Sequence, residues 1–153
     1  MIIRPIANET DLAEVRRLFR EYVEWLAVDL SFQNFEEELA GLPGDYAPPG
    51  GRLWIAEQEH RVGGCVALRR LEDAVCEMKR LYVRSEFRGT GLGRRLVEQA
   101  MQEARAIGYR RMRLDTLPQM SAAQGLYQSF GFRPIDPYRF NPIAGTKFLE
   151  AEL

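Results

Sequence analysis

Histidine and cysteine are nearly absent: 153 residues hold one His, His60, and two Cys, Cys65 and Cys76. The thiols sit in strand-like runs and the imidazole in the polar turn Glu57-Gln58-Glu59-His60-Arg61, so no zinc-ligand spacing exists and no metal is expected. Free buried thiols in a reducing compartment fit that usage. Long apolar runs are also missing; uninterrupted stretches fall far short of the ~18 residues a bilayer span needs, so no membrane partner is expected. The opening MIIRPIANETD turns polar and acidic at once and carries no secretory signal, which makes a cytoplasmic location the expectation. Net charge is almost nil, −1 from 21 Lys/Arg and 22 Asp/Glu, and this removes the electrostatic case for nucleic acid. The total hides a split. Residues 1–60 hold 12 acidic and 5 basic side chains (−7), residues 61–153 hold 10 and 16 (+6). Two ligands of opposite sign, or helix surfaces that simply differ in charge, both account for it.

What the chain does have is material for a core, 46% hydrophobic residues over a length suited to one domain, 1–153. Ile2, Ile3 and Ile6 suggest a first strand. Leu12, Val15, Leu18, Phe19, Tyr22, Val23 and Leu26 repeat with helical period, behind Thr10 or Asp11 as N-cap and Glu14 as capping-box partner. A short acidic helix is expected over 31–40, then a Gly/Pro loop over 41–51. Strands at 53–57, 62–71 and 75–83 with short turns between them read as an antiparallel meander. A helix over 91–107 ends at Gly108, a strand covers 111–115, a helix covers 119–130, and short strands close the chain. One α/β domain is the reading.

The most informative stretch joins the third meander strand to the long helix: Leu81-Tyr82-Val83-Arg84-Ser85-Glu86-Phe87-Arg88-Gly89-Thr90-Gly91-Leu92-Gly93-Arg94. Amides at a helix N-terminus lack internal partners and attract anions, and glycines let that backbone approach a phosphate. Arg88 and Arg94 add positive charge at the same point. A Rossmann fingerprint needs glycine where Arg94 stands, and a Walker A loop needs Gly-Lys-Ser/Thr. Both spellings fail, leaving another phosphate ligand or a turn without one.

Arg88-Gly89-Thr90-Gly91-Leu92-Gly93 resembles the Gln/Arg-x-x-Gly-x-Gly/Ala loop of the GNAT superfamily of N-acetyltransferases, and Leu126-Tyr127-Gln128-Ser129-Phe130-Gly131-Phe132 resembles its second hallmark, Leu-Tyr-x-x-x-Gly-Phe. The element order agrees over nearly the whole chain. The resemblance implies an α+β fold with a mixed, mostly antiparallel sheet flanked by helices, its strands splayed at the coenzyme A site. It implies transfer of an acetyl group from acetyl-CoA, as acyl donor and without a metal, to a primary amine of a small molecule or peptide. The amides of Arg88, Gly89, Thr90, Gly91, Leu92, Gly93 and Arg94 would cradle the pyrophosphate, and the main chain of Leu81, Tyr82 and Val83 would pair with the pantetheine arm.

A backbone amide near Tyr82–Val83 would meet the oxyanion. Tyr127 stands at the general-acid position, although on residue pattern alone it is equally a core aromatic beside Leu126 and Phe130. Glu77, eleven residues before Arg88, stands where some relatives carry the base; the alternative is an ion pair with Arg69, Arg70 or Lys79. One departure stands out: Met120 occupies the position of a common cofactor-contacting Asn, with Gln119 and Ser121 as its nearest polar substitutes. The acceptor side falls to residues 25–35 and 134–146, with Trp25, Asp29, Phe32, Tyr138, Arg139 and Asn141 as candidates. Asp29 would orient an ammonium; Arg70, Arg80 and Arg139 would hold a carboxylate. Exposed strand edges often pair in this superfamily, so the resemblance also leaves room for a homodimer. The competing reading is a non-catalytic acyl-CoA-binding module of the same fold.

Overall fold

Runs of β-branched and aromatic residues between polar turns form β1 (Ile2–Pro5), β2 (Arg52–Gln58), β3 (Arg61–Glu72), β4 (Val75–Val83), β5 (Arg111–Thr116), β6 (Arg133–Ile135) and β7 (Lys147–Glu152). They make one seven-stranded sheet in the order β1-β2-β3-β4-β5-β7-β6. The helices are α1 (Glu9–Leu26), α2 (Phe35–Ala40), α3 (Leu92–Ile107) and α4 (Ser121–Ser129). The structure is a computed structural model and describes residues 1–153, the side chain of Phe32 excepted. Every strand pair is antiparallel except β4 with β5. The mixed, mostly antiparallel sheet is the one expected.

Strand alternation sends side chains to two cores. Trp54, Val66, Leu68, Met78 and Met112 pack under Leu96, Val97, Ala100 and Ala104 of α3. Leu53, Ile55, Cys65 and Ala67 pack under Val15, Leu18, Phe19 and Tyr22 of α1, with Phe35 and Leu39 of α2 beside them. The helix spacing of the apolar residues is therefore what docks α1 and α3 on opposite faces of the sheet. The start of α1 lies earlier than expected. Asn8, not Thr10 or Asp11, is the N-cap, its side chain accepting from the Asp11 amide at 2.9 Å. Asp11 in turn accepts from the Ala7 amide at 2.7 Å and from the Arg4 guanidinium at 2.8 and 2.9 Å. The expected helix over 31–40 is split into a single 3₁₀ turn, Ser31–Gln33, and α2, with Asn34 left-handed between them.

Two irregularities in β4 shape the site. First, β4 pairs with β5 only from Val75 to Glu77, opposite Arg111 to Arg113, so the strands part company beyond that point. Second, Cys65 faces Tyr82 while Ala67 faces Lys79, which puts an extra residue in β4. Arg80 takes it up in the left-handed region, φ 59°. Such a bulge bends its strand and re-aims side chains. Met78 and Leu81 remain in the α3 core, whereas Lys79 and Arg80 both turn toward the α1–α2 side, where they meet Gln33.

Candidate active site

The unpaired edge of β4 leads into the glycine loop. Gly89 (φ 77°) and Gly91 (φ 85°) are left-handed, and a Cβ at either would meet nothing within 4 Å. The glycines are thus required by backbone conformation, with open space above them. Gly91 is the N-cap of α3 and brings no side chain to its first-turn amides, which leaves these donors unsatisfied. Leu81, Tyr82, Val83, Arg88, Gly89, Gly91, Leu92 and Gly93 line one cleft with Met120 and Leu126 across from them. Thr90 holds the loop instead, its hydroxyl donating to the Phe87 carbonyl at 2.6 Å. Arg94 donates to Ser129 Oγ at 3.1 Å and lies over the Phe130 ring. Trp25, considered for the acceptor, is a wall of this cleft: the Arg88 guanidinium lies 4.8 Å from its ring centroid and 5.9 Å from that of Tyr82, while Arg88 Nε donates to the Val83 carbonyl at 3.0 Å.

Leu81 and Met120 also line a second cavity, in the gap between β4 and β5, with Gln33, Lys79, Arg80, Asp115, Asn141 and Tyr127. Tyr127, 4% exposed, packs edge-on against Phe132. Burial pushes its phenol well above the ordinary value, so the hydroxyl stays protonated. Lys79 donates to Gln33 Oε1 at 3.0 Å and stands 3.9 Å from Asp115. Burial, helped by Arg80, pushes its ammonium down to about 8. Arg80 grips Glu38 with two hydrogen bonds, at 2.9 and 3.0 Å.

Glu77 lies just beneath this cavity and is fully buried. Arg69 takes Oε1 at 2.8 and 2.9 Å; the Tyr138 hydroxyl donates to Oε2 at 2.6 Å, and Arg139 pairs with the same oxygen. Burial alone would raise this carboxyl, but Lys79, Arg69 and Arg139 outweigh it and hold it down at about 2. Both oxygens are committed, and Arg69 is one of the ion-pair partners weighed from the sequence. Among the other acceptor candidates, Asn141 reaches Asp115 at 3.4 Å, and Asp29 is turned away to cap the Ser31 amide at 2.8 Å. Arg70 pairs with Asp73 at the far end of the meander. The side chain of Phe32 lies outside what the structure describes. Gln119 does not stand in for the missing Asn, because its amide donates to the Leu26 carbonyl at 3.0 Å, at the end of α1. Residue pattern offered Lys79 only as an ion-pair partner of Glu77 and did not single out Asp115 or Gln33. Asp115, at the end of β5 where it leaves β4, carried the one usable signal.

The charge split has a structural use. Arg84 pairs with Glu14 and Glu21 at 2.8 Å each, and Arg80 with Glu38, so acidic α1 and α2 are held onto basic β4. Much of the asymmetry is therefore spent inside the molecule.

Comparison with known proteins agrees with this architecture. The model of the acetyltransferase (GNAT) family matches residues 12–132. A protein of Schizosaccharomyces pombe, named as an uncharacterised N-acetyltransferase, is 42% identical over 145 residues, 94% of this chain and 89% of that one. The crystal structure of an acetyltransferase from Streptococcus agalactiae superposes with a TM-score of 0.82 at 25% identity, over 99% of this chain and 98% of that one. A Salmonella typhimurium protein solved with its cofactor acetyl-CoA shares the fold, with a TM-score of 0.70 at 24% identity over 99% and 93% of the two chains. With its sheet splayed beside a glycine-capped helix and its sequence matched from α1 to Phe132, the chain belongs to the GNAT family and is an N-acetyltransferase.

Proposed function

We propose that the protein moves an acetyl group from acetyl-CoA to the amine of a small molecule or peptide by direct attack on the thioester. The observation that carries this is the junction of the two cavities at Leu81 and Met120, with an uncapped helix terminus on one side and the Tyr127 phenol on the other. The loop amides from Arg88 to Arg94 receive the pyrophosphate, where the helix dipole favours negative charge. The edge of β4 over Leu81, Tyr82 and Val83 offers main-chain partners to the pantetheine arm. The thioester then lies at the junction, its carbonyl toward a fixed amide of Tyr82–Val83 and its sulfur toward Tyr127. For Arg88 to face the phosphates it has to leave the Val83 carbonyl, which frees that acceptor for the arm. Glu77, held near 2 by its cations, is a poor sink for an ammonium proton of pKa ~10; its part is to fix Arg69, Tyr138 and Arg139. The amine loses its proton instead on entering a cavity lined by Lys79 and Arg80, since like charge lowers its pKa.

Thiol release from acetyl-CoA against a panel of amines and amino acids tests the reading. Turnover of at least one class supports it; tight coenzyme A binding with no turnover across the panel sinks it and favours a binding module. Gly91→Val tests the donor cleft separately. The left-handed backbone costs about 1–2 kcal/mol, and no atom stands within 4 Å of the new Cβ. The fold should therefore survive with a lowered Tm, while KM for acetyl-CoA rises about tenfold or more. An unchanged donor KM would remove the loop from the phosphate role.

A further inference from the structure

Lys79 is the charged group in the cavity that donor binding leaves unused. Its side chain is 3% exposed, and among the described residues only one of its three N–H donors has a partner within hydrogen-bond reach, Gln33 Oε1 at 3.0 Å. Asp115 Oδ1, at 3.9 Å, is beyond that reach. Arg80 sends Nη1 to the same Gln33 oxygen, also at 3.0 Å. Two buried cations thus converge on one neutral amide oxygen. The wider count points the same way. Arg69, Lys79, Arg80 and Arg139 face Glu38, Glu77 and Asp115, four positive charges against three negative. Asp45 reaches Arg69 only from the solvent side, 4.0 Å away and 83% exposed. A buried charge without a counter-charge is costly, so a network one anion short is built to receive one.

We propose that the missing anion is the carboxylate of the acceptor, and that the acceptor is a small amino-carboxylate of the amino-acid class. This rests on the acyl-transfer reading above. The carboxylate takes the place of the Gln33 amide on Lys79 and Arg80, where charge-assisted hydrogen bonds are about twice as strong as neutral ones. Gln33 closes a one-turn 3₁₀ segment and is half-buried, so moving it disrupts little. The cavity as it stands, about 30 Å³, has room for one or two waters and not for an amino acid, so the carboxylate replaces that amide and does not add to it. Asp115 spends Oδ2 on Asn141 and keeps Oδ1 to accept from an N–H of the neutral amine. A peptide or protein N-terminus brings an amine without the nearby carboxylate and leaves Lys79 unpaired.

The experiment compares initial rates of thiol release for a set of amino acids, α, β and dicarboxylic, with amines that lack only the carboxylate and with peptide amides. A kcat/KM about a hundredfold or more in favour of at least one amino acid over its decarboxylated partner is expected, because a site built to bond a group rejects the analogue lacking it. Gln33→Glu supplies an internal carboxylate that competes with the acceptor. It should raise the amino-acid KM about tenfold or more and raise the melting temperature, because it supplies the missing counter-charge, while donor KM stays near wild type. Lys79→Met should erase the preference for the carboxylate. Equal kcat/KM for an amino acid and its decarboxylated partner, or faster turnover of peptide amides, overturns this proposal and leaves acyl transfer standing. An unchanged amino-acid KM in Gln33→Glu overturns it as well. No thiol release from either set with coenzyme A bound overturns the acyl-transfer reading itself.

Discussion

Replacing Tyr127 by Phe is expected to lower kcat by about 10²- to 10⁴-fold, the span typical of a lost general acid, while donor affinity and acceptor KM stay close to wild type. The ring packs against Phe132 with centroids 5.7 Å apart, and Phe keeps that contact. Among the described residues no protein group accepts from the Tyr127 hydroxyl, so its removal breaks no internal hydrogen bond and the fold should be indifferent. What is lost is the phenol proton that Tyr127 brings to the acceptor cavity, whose wall Tyr22 shares. Burial lifts this phenol above its ordinary value, and above the ~8.5 of a free thiol, so it cannot hand its proton to sulfur in advance. The proton has to move as the C–S bond breaks, and the phenol has to be restored from the nitrogen that has just bonded to carbon. In the balance the amine loses one proton and coenzyme A gains one. The pH profile of the wild type should accordingly show no alkaline loss from Tyr127 below about pH 10. A Phe variant with undiminished kcat would return this residue to the role of core aromatic.

The parts of this architecture legible in the sequence are those written in local periodicity. Strand β4 runs from Val75 to Val83 as expected, and Gly91 and Gly108 bracket α3 because both are left-handed, at 85° and 113°. The donor cleft was legible for the same reason along its contiguous wall from Leu81 to Gly93, but not at Trp25, which spacing cannot bring there. The acceptor cavity was not. It depends on a bulge at Arg80 that no Gly or Pro marks, and strict alternation would set Lys79 and Arg80 on opposite faces. It depends also on Gln33 and Asp115 meeting Lys79 across 46 and 36 positions of chain, which spacing cannot encode. The N-cap of α1 was misplaced because Asp11 with Glu14 has the spelling of a capping box. Asn8 with Asp11 forms the working one, and Arg4 secures it from β1. The opposed charges of the two halves were visible, but their pairing is tertiary: Arg84 and Arg80 draw α1 and α2 onto the sheet.

Glu77→Gln is expected to cost about 3 kcal/mol of stability at neutral pH, the loss typical of removing one partner from a buried ion pair. The carboxylate is fully buried and serves Arg69 on one oxygen, Tyr138 and Arg139 on the other. It thereby ties β3 and β4 to the connection between β6 and β7. A neutral amide keeps the shape and gives up the charge, leaving either Arg69 or Arg139 facing an NH₂ group in place of an oxygen. The pH dependence follows from the depressed carboxyl. Its value falls from 4.5 to about 2 on folding, which corresponds to roughly 3 kcal/mol of linkage. The sign for a lowered carboxyl is fixed: this stabilisation is complete above about pH 4.5 and is lost as pH falls toward 2. Wild type and Glu77→Gln should therefore differ widely in urea midpoint at pH 7 and converge near pH 2. Activity provides the independent check. A tether that does not take the proton predicts that Glu77→Gln, at temperatures where it is folded, keeps the wild-type shape of the kcat–pH profile. A new loss of activity confined to low pH would instead make Glu77 the base and place the proton transfer through it.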